Sequence, residues 1–261
     1  MEAFSQLSPD NKPISSINQR APRDAPRISH GAYYKAMAIN VPRYLLYLQE
    51  EARSRGVEIV KARLPTDAGL AAALREAQRL LESRSGTSSS KSEPACFVNA
   101  TGLAAGKLCG DTAVFPIRGQ TVLVKGEARA TLTRVGDGYR AYCIPRPGSG
   151  TTILGGTREE EMWDEEPDAE VTARILERNA WQVPELLTGP EGGFEVLSVQ
   201  CGLRPGRMGG VRLEGERVGG FGVVHAYGHA GAGYQNSVGS ARAVVELVGE
   251  SLGRDSGFAR L

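Results

Sequence analysis

Apolar residues recur at helical spacing from Pro42 onward. Tyr44, Leu45, Leu48 and Ala52 share one face, proline suits a first turn, and Gly56 can close the C-terminus. The stretch Val57–Leu64 predicts a short strand, the Ala- and Leu-rich stretch Leu70–Glu82 a second helix, and Cys96-Phe97-Val98 a second strand. Helix, strand, helix, strand is the order of a parallel sheet with helices packed on it. Between Arg118 and Arg217 the pattern changes to short strand candidates: Gln120–Lys125, Tyr139–Pro145, Thr151–Gly155, Phe194–Gly202 and Val211–Arg217. Pro147-Gly148-Ser149-Gly150 predicts a hairpin turn. One helix interrupts the strands, Asp168–Leu187, opened by Pro167-Asp168 and carrying Val171, Ile175 and Leu176 on one face. Strands segregated from helices indicate an α+β region on a largely antiparallel sheet. A buried-type strand, Phe221–His225, then leads into a glycine-rich turn and a helix, Tyr234–Leu252, with Val238, Val244, Val245 and Val248 as its apolar side.

The remaining segments are polar. Residues 1–32 are rich in Pro, Ser, Asn and Arg without apolar period and read as a disordered arm, and Ser83–Pro94 reads as a flexible loop. The 261 residues carry 31 basic and 30 acidic side chains, a net charge of +1, which offers neither a basic surface for nucleic acid nor an acidic tail and leaves a small ligand as the expected partner. No apolar run reaches the roughly 18 residues of a membrane span, and the N-terminal stretch lacks a signal peptide's apolar core, so a soluble, unsecreted protein without a membrane partner is expected. The four cysteines, Cys96, Cys109, Cys143 and Cys201, are too far apart for a zinc site or a redox pair and read as reduced, mostly buried thiols. Ala259-Arg260-Leu261 is similar to the small-basic-leucine peroxisomal address and makes the peroxisome the expected location, the cytoplasm otherwise, with an import receptor as a partner.

Chemistry concentrates in the glycine-rich turn. A strand entering such a turn and then a helix presents backbone N–H groups to an anion or a polar ring edge, and Gly228, Gly231 and Gly233 allow close approach. Glycines alone would equally serve a tight turn. The wider pattern, Val223-Val224-His225-Ala226-Tyr227-Gly228 with Ala230, Gly231, Gly233 and then Gly239-Ser240-Ala241, resembles the C-terminal signature of the D-amino-acid and D-aspartate oxidases. Four further segments match that family in order: Ile39-Asn40-Val41-Pro42-Arg43-Tyr44-Leu45, Val98-Asn99-Ala100-Thr101-Gly102, Arg118-Gly119-Gln120, and Gly202-Leu203-Arg204-Pro205 followed by Val211-Arg212-Leu213-Glu214.

The resemblance implies FAD as cofactor. It gives Ala230, Gly231, Gly233, Gln235, Thr101, Gly102, Arg118 and Gln120 cofactor roles, together with Leu64 at the close of the expected strand. It gives Arg212 the bidentate grip on a substrate α-carboxylate, Tyr142 a shared hydrogen bond to it, and the Gly231 carbonyl the substrate amine. Read without the family, Arg212 is a surface arginine on an edge strand and Tyr142 a core aromatic. Arg158 stands where D-aspartate oxidases carry arginine and would favour an acidic side chain; beside Glu159, Glu160 and Glu161 it could equally be solvated. Tyr139 suggests an active-site lid, and His225 and His229 read as structural. Two fragments fall away: Gly102 to Lys107 lacks the spacing and the hydroxyl residue of a phosphate loop, and the G-x-G-x-x-A run Gly136–Ala141 lacks a strand-to-helix setting.

By resemblance, the substrate α-hydrogen leaves as hydride to the flavin and oxygen then takes the electrons, giving an imino acid and hydrogen peroxide. The protein's task is orientation rather than base catalysis. The expected partners are therefore a D-amino acid and oxygen, with a second copy in a homodimer. The expected fold is α/β plus α+β: an incomplete FAD-binding Rossmann-like domain, residues 33–110 and 218–252, an antiparallel-sheet substrate domain, residues 111–217, and a tail, residues 253–261. The departure is at the front, because residues 1–100 contain no G-x-G-x-x-G to grip the FAD pyrophosphate. An N-terminally truncated oxidase that binds FAD poorly is expected, the alternative being a non-catalytic remnant.

Overall fold

The computed structural model describes residue 25 and residues 27–84 and 94–253. The arm expected at 1–32 lies largely outside them, and 27–32 form neither helix nor strand; most of the expected loop at Ser83–Pro94 and the terminal tripeptide are also outside the described residues.

In chain order the elements are α1 (Val41–Ser54), α2 (Gly69–Arg84), β1 (Phe97–Asn99), α3 (Ala104–Leu108), β2 (Val114–Lys125), β3 (Leu132–Gly136), β4 (Tyr139–Arg146), β5 (Thr151–Gly155), β6 (Glu159–Glu160), α4 (Ala169–Ala180), β7 (Val196–Arg207), β8 (Arg212–Val218), β9 (Phe221–Tyr227) and α5 (Ser237–Ser251). They fall into two compact units. One takes the residues up to Glu58 with Arg118–Glu159 and Asp164–Gly202; the other takes Ile59–Ile117, Glu160–Trp163 and the chain from Leu203 onward. The expected division at residues 110 and 218 differs from this: α1 groups with the β-rich unit, and the chain from Leu203 through β8 with the other.

The first unit is built on an antiparallel sheet in the order β3-β4-β5-β2-β6, with β7 against β2. The β4–β5 hairpin turns at Pro147–Gly150 as expected, pairing Arg146 with Thr151. Helix α4 starts at Asp168, whose carboxylate accepts the Glu170 and Val171 amides at 2.7 and 3.1 Å, satisfying two donors that no helical carbonyl reaches. It turns Val171, Ile175 and Asn179 inward at four-residue spacing. Val171 and Ile175 pack with Val122, Val124, Cys143, Leu154, Val183 and Leu186 into the core. The helix stops at Ala180, short of the expected Leu187, because Pro184 has no amide to continue the ladder; Pro184–Leu186 form a separate 3-10 turn. Strand β3 is absent from the periodic pattern for a physical reason. Arg134 faces in, its guanidinium 4.8 Å from the Trp181 ring, while Val135 faces out, so polarity alternates against burial.

The second unit centres on a three-stranded sheet, β1-β9-β8. Strands β1 and β9 run parallel, Phe97 against Val223 and Asn99 against His225, which gives the Rossmann-like part of the expected fold its parallel pair. Strands β8 and β9 form a hairpin across Gly219-Gly220, both at positive φ, the geometry of a two-residue turn whose twist matches its strands. Helix α2 buries Leu70, Ala73 and Leu74 at i, i+3 and i+4 against Leu108 and Val223. Helix α5 begins at Ser237 rather than Tyr234 and splits its expected valine side: Val244 and Val248 are half-buried, Val238 and Val245 exposed.

Two expectations are corrected here. Residues 57–64 form no strand: no described strand pairs with them, and Val57, Ile59, Val60 and Leu64 are exposed, so β-favouring side chains have no backbone partner to hold them extended. The cysteines are free as expected, but only Cys143 is buried, its thiol pushed up to about 11 by desolvation, while the other three are half-exposed. Among the described residues no helix is long and apolar enough to cross a membrane, and no cluster of metal-ligating side chains occurs.

Candidate active site

Strand β9 delivers the glycine-rich turn. Its residues Val223, Val224, His225 and Tyr227 are buried, and the chain then passes Gly228 at φ +88° and a 3-10 turn at Ala230–Ala232 before α5. Ala230 holds φ +50°, a left-handed conformation that side chains with a Cβ rarely adopt, so this turn keeps a strained backbone where a glycine would relax it. Gly231 and Gln235 are exposed and Gly233 half-buried, which leaves the backbone of the turn open to a ligand. After β1 in the same unit, Thr101 donates to the Asn99 carboxamide oxygen from both its amide, 3.2 Å, and its hydroxyl, 2.8 Å, and Gly102 at φ +59° reverses the chain into α3. These segments suit a flat, polar-edged cofactor such as FAD: their backbone is exposed, tightly turned and fixed by local bonds. Leu64, exposed in the irregular stretch before α2, makes no feature of this kind.

Arg212 opens β8 directly opposite Tyr227, the residue that leads into the turn. Its Nε donates to Glu214 at 2.6 Å and its Nη1 to the Tyr227 hydroxyl at 2.9 Å, while Nη2 has Glu216 at 3.6 Å, beyond hydrogen-bond distance. Burial works against the guanidinium charge, but the Tyr227 hydroxyl and Glu214 outweigh it and raise its pKa further, so it stays protonated. Tyr227 donates in turn to Asp111 Oδ2 at 2.9 Å, and Asp111 is gripped by Arg207 Nε at 2.8 Å. Burial pushes the Tyr227 phenol up to about 12. On the next inward position of β9, His225 is wholly buried between Glu216 at 2.8 Å and Asn99 at 3.1 Å, which accounts for it as a structural residue; His229, its pKa lowered by burial, bonds Ser240 at 2.9 Å.

The remaining candidates belong to the β-rich unit. Arg118 and Gln120 lie on β2 and are buried. Arg118 donates to the Asp164 and Glu166 carbonyls, to Glu159 Oε2 at 2.6 Å and to Gln120; Gln120 donates to the Asp168 carbonyl and the Thr172 hydroxyl while accepting the Asp168 amide. Through these bonds both side chains tie the 159–172 segment to β2. Tyr142 is half-buried on β4, its ring lying on Gly155: a Cβ there would come within 2.0 Å of the ring. Asn179, itself buried, holds the Gly155 carbonyl at 3.1 Å. Arg158 is exposed just past β5. Tyr139 is buried under the Arg178 guanidinium at 4.3 Å, which makes it a core residue rather than part of a lid. Gly136–Ala141, already discounted as a nucleotide motif, spans the β3–β4 hairpin turn at Asp137-Gly138.

Periodicity and motif reading did not single out Tyr227 or Asn99 as individual residues, although both stand inside matched motifs, and missed Asp111, Arg207 and Glu216. The alternation Arg212, Glu214, Glu216 along β8, set against His225 and Tyr227 on β9, was the available signal.

The family model for FAD dependent oxidoreductases matches residues 2–247. The D-amino-acid oxidase of Fusarium vanettenii is 36% identical over 231 residues, 85% of this chain and 60% of that protein. The D-aspartate oxidase of Talaromyces thermophilus is 36% identical over 223 residues, 85% of this chain and 55% of that protein. The chain thus spans little more than half the length of these curated relatives. Among solved structures, glycine oxidase from Bacillus cereus shares the fold with a TM-score of 0.50 at 23% identity, over 62% of this chain and 44% of its own. With the family model covering nearly the whole chain, this protein belongs to the FAD dependent oxidoreductases of the DAO family.

Proposed function

We propose that the chain takes part in the oxidative deamination of D-amino acids, with Arg212 as the ligand of the substrate carboxylate. The observation that carries this reading is the state of Arg212: charged, half-sheltered and held on its Nε side, yet with Nη2 not hydrogen-bonded among the described residues and standing across the hairpin from the entry to the glycine turn. A guanidinium so held offers a planar pair of donors to a carboxylate. The Gly231 carbonyl, on the exposed turn, is the acceptor assigned to the substrate amine, and Tyr142 is assigned a hydrogen bond to the carboxylate. FAD, when bound, supplies the acceptor for the substrate's hydride and passes the electrons to oxygen. In the net change the amino acid loses two hydrogens across its Cα–N bond, oxygen becomes hydrogen peroxide, and water converts the imino acid to a 2-oxo acid and ammonia. The chain's own residues bind and orient; none is assigned a proton from Cα.

An acidic substrate preference is part of the proposal, supported by Arg158 in an exposed position and by the similarity to a D-aspartate oxidase. Purified chain supplied with FAD decides between the readings: a bound-flavin spectrum with peroxide release from D-alanine or D-aspartate defeats the non-catalytic remnant, and absence of both signals defeats the oxidase reading. In Arg158→Tyr the ratio of activity on D-aspartate to that on D-alanine should fall, and an unmoved ratio removes the acidic preference. Peroxisomal import through Ala259-Arg260-Leu261 is proposed on the tripeptide alone and is checked by the location of a fluorescent fusion with and without it.

A further inference from the structure

We propose that Tyr227 and Asp111 are positioning residues that fix the orientation of the Arg212 guanidinium, an inference that rests on Arg212 being the carboxylate ligand. An arginine side chain at a strand end has many rotamers, and a bidentate grip demands one of them; ordering it in advance removes that cost from substrate binding. The order is imposed by hydrogen direction. The Tyr227 hydroxyl has one hydrogen, and Asp111 Oδ2 at 2.9 Å can only accept, so the hydrogen points to Asp111 and an oxygen lone pair is turned to Arg212 Nη1 at 2.9 Å. Asp111 is itself immobilised: Arg207 Nε grips Oδ2 at 2.8 Å and the Ala113 amide donates to Oδ1 at 3.1 Å. Arg207 is anchored by the Gly210 carbonyl at 3.2 Å, and its stem lies under Gly228, where a Cβ would come within 2.8 Å of it. Tyr227 is 2% exposed, so water does not compete for its hydroxyl. The relay Arg207, Asp111, Tyr227, Arg212 therefore ties the candidate carboxylate ligand to the floor of the glycine turn.

A hydroxyl that merely satisfied a buried phenol would leave Arg212 unaffected when removed. The test compares wild-type chain, Tyr227→Phe and Asp111→Asn, each with FAD present, by nitrogen-15 NMR of arginine side chains, with the Arg212 signal identified from Arg212→Lys. Rotation of the Arg212 guanidinium and exchange of its protons should speed up by about tenfold in Tyr227→Phe, the scale of one lost charge-assisted hydrogen bond, and change in the same direction in Asp111→Asn. With D-alanine, KM should rise by about tenfold while kcat stays within about twofold, the signature of lost ground-state and transition-state binding alike. If Tyr227→Phe does not fold, Asp111→Asn carries the comparison. An unchanged Arg212 signal in a folded variant, or a fall in kcat at constant KM, overturns the relay. A wild-type chain with no turnover defeats the functional reading, and the NMR comparison still decides the positioning.

Discussion

Arg118 and Arg212 are two sheltered arginines with opposite fates. Arg118, in the β-rich unit, has a side chain 5% exposed with all three nitrogens bonded to chain oxygens. Arg212, in the other unit, is 16% exposed, and its Nη2 is not hydrogen-bonded among the described residues. Family resemblance alone gave both a ligand role. Donor use differs between them: of five N–H donors, Arg118 commits four, to the Asp164 and Glu166 carbonyls, Glu159 and Gln120, whereas Arg212 commits two, to Glu214 and Tyr227.

The comparison can be broken at several points. Arg118→Met removes one bond each from the Asp164 and Glu166 carbonyls, Gln120 and Glu159, so it should destabilise the chain by about 3 kcal/mol, measured by urea unfolding. Gly155→Ala places a methyl inside the Tyr142 ring's contact distance and should cost about 2 kcal/mol while shifting the tyrosine's near-ultraviolet circular dichroism. Asp168→Ala removes the α4 cap and should lower the melting temperature by a smaller amount. The smallest effect concerns pH. Burial raises the Asp111 carboxyl, but the Arg207 guanidinium, the Tyr227 hydroxyl and the Ala113 amide together outweigh it and hold it below the ordinary aspartate value. A carboxyl depressed in the folded state stabilises above its unfolded value, about pH 4, and loses that contribution as pH falls through the folded value. Stability measured from pH 5 down to pH 2 should therefore decline less steeply in Asp111→Asn than in wild type.

Much of this was legible in the chain. Leu70, Ala73 and Leu74 announce a buried helix face by spacing, and the glycine-punctuated strands of the β-rich unit follow from local turn chemistry. Residues 57–64 read as a strand because Val57, Ile59 and Val60 favour one, but strand formation depends on a neighbour that no local pattern supplies. Strand β3 failed in the opposite sense, since a stacked guanidinium lets Arg134 point inward. Within the site, fixed motifs exposed Arg212 and the glycine turn, whereas Asp111 stands 116 residues from Tyr227 and is joined to it by folding alone. The tethering of Arg118 was equally invisible, because three of its four bonds go to residues more than 40 positions away.

The most direct test sets Arg118→Lys beside Arg212→Lys, measuring melting temperature and D-amino-acid-dependent peroxide release of the FAD-supplemented chain on the same preparations. Lysine keeps the charge and loses the planar fork in both. Arg118→Lys should melt several degrees below wild type with its KM unchanged, and Arg212→Lys should melt with wild type while kcat/KM falls by about a hundredfold, the scale of a lost buried charge contact. An Arg212→Lys chain that loses stability and keeps its turnover would contradict the assignment of Arg212 as the carboxylate ligand.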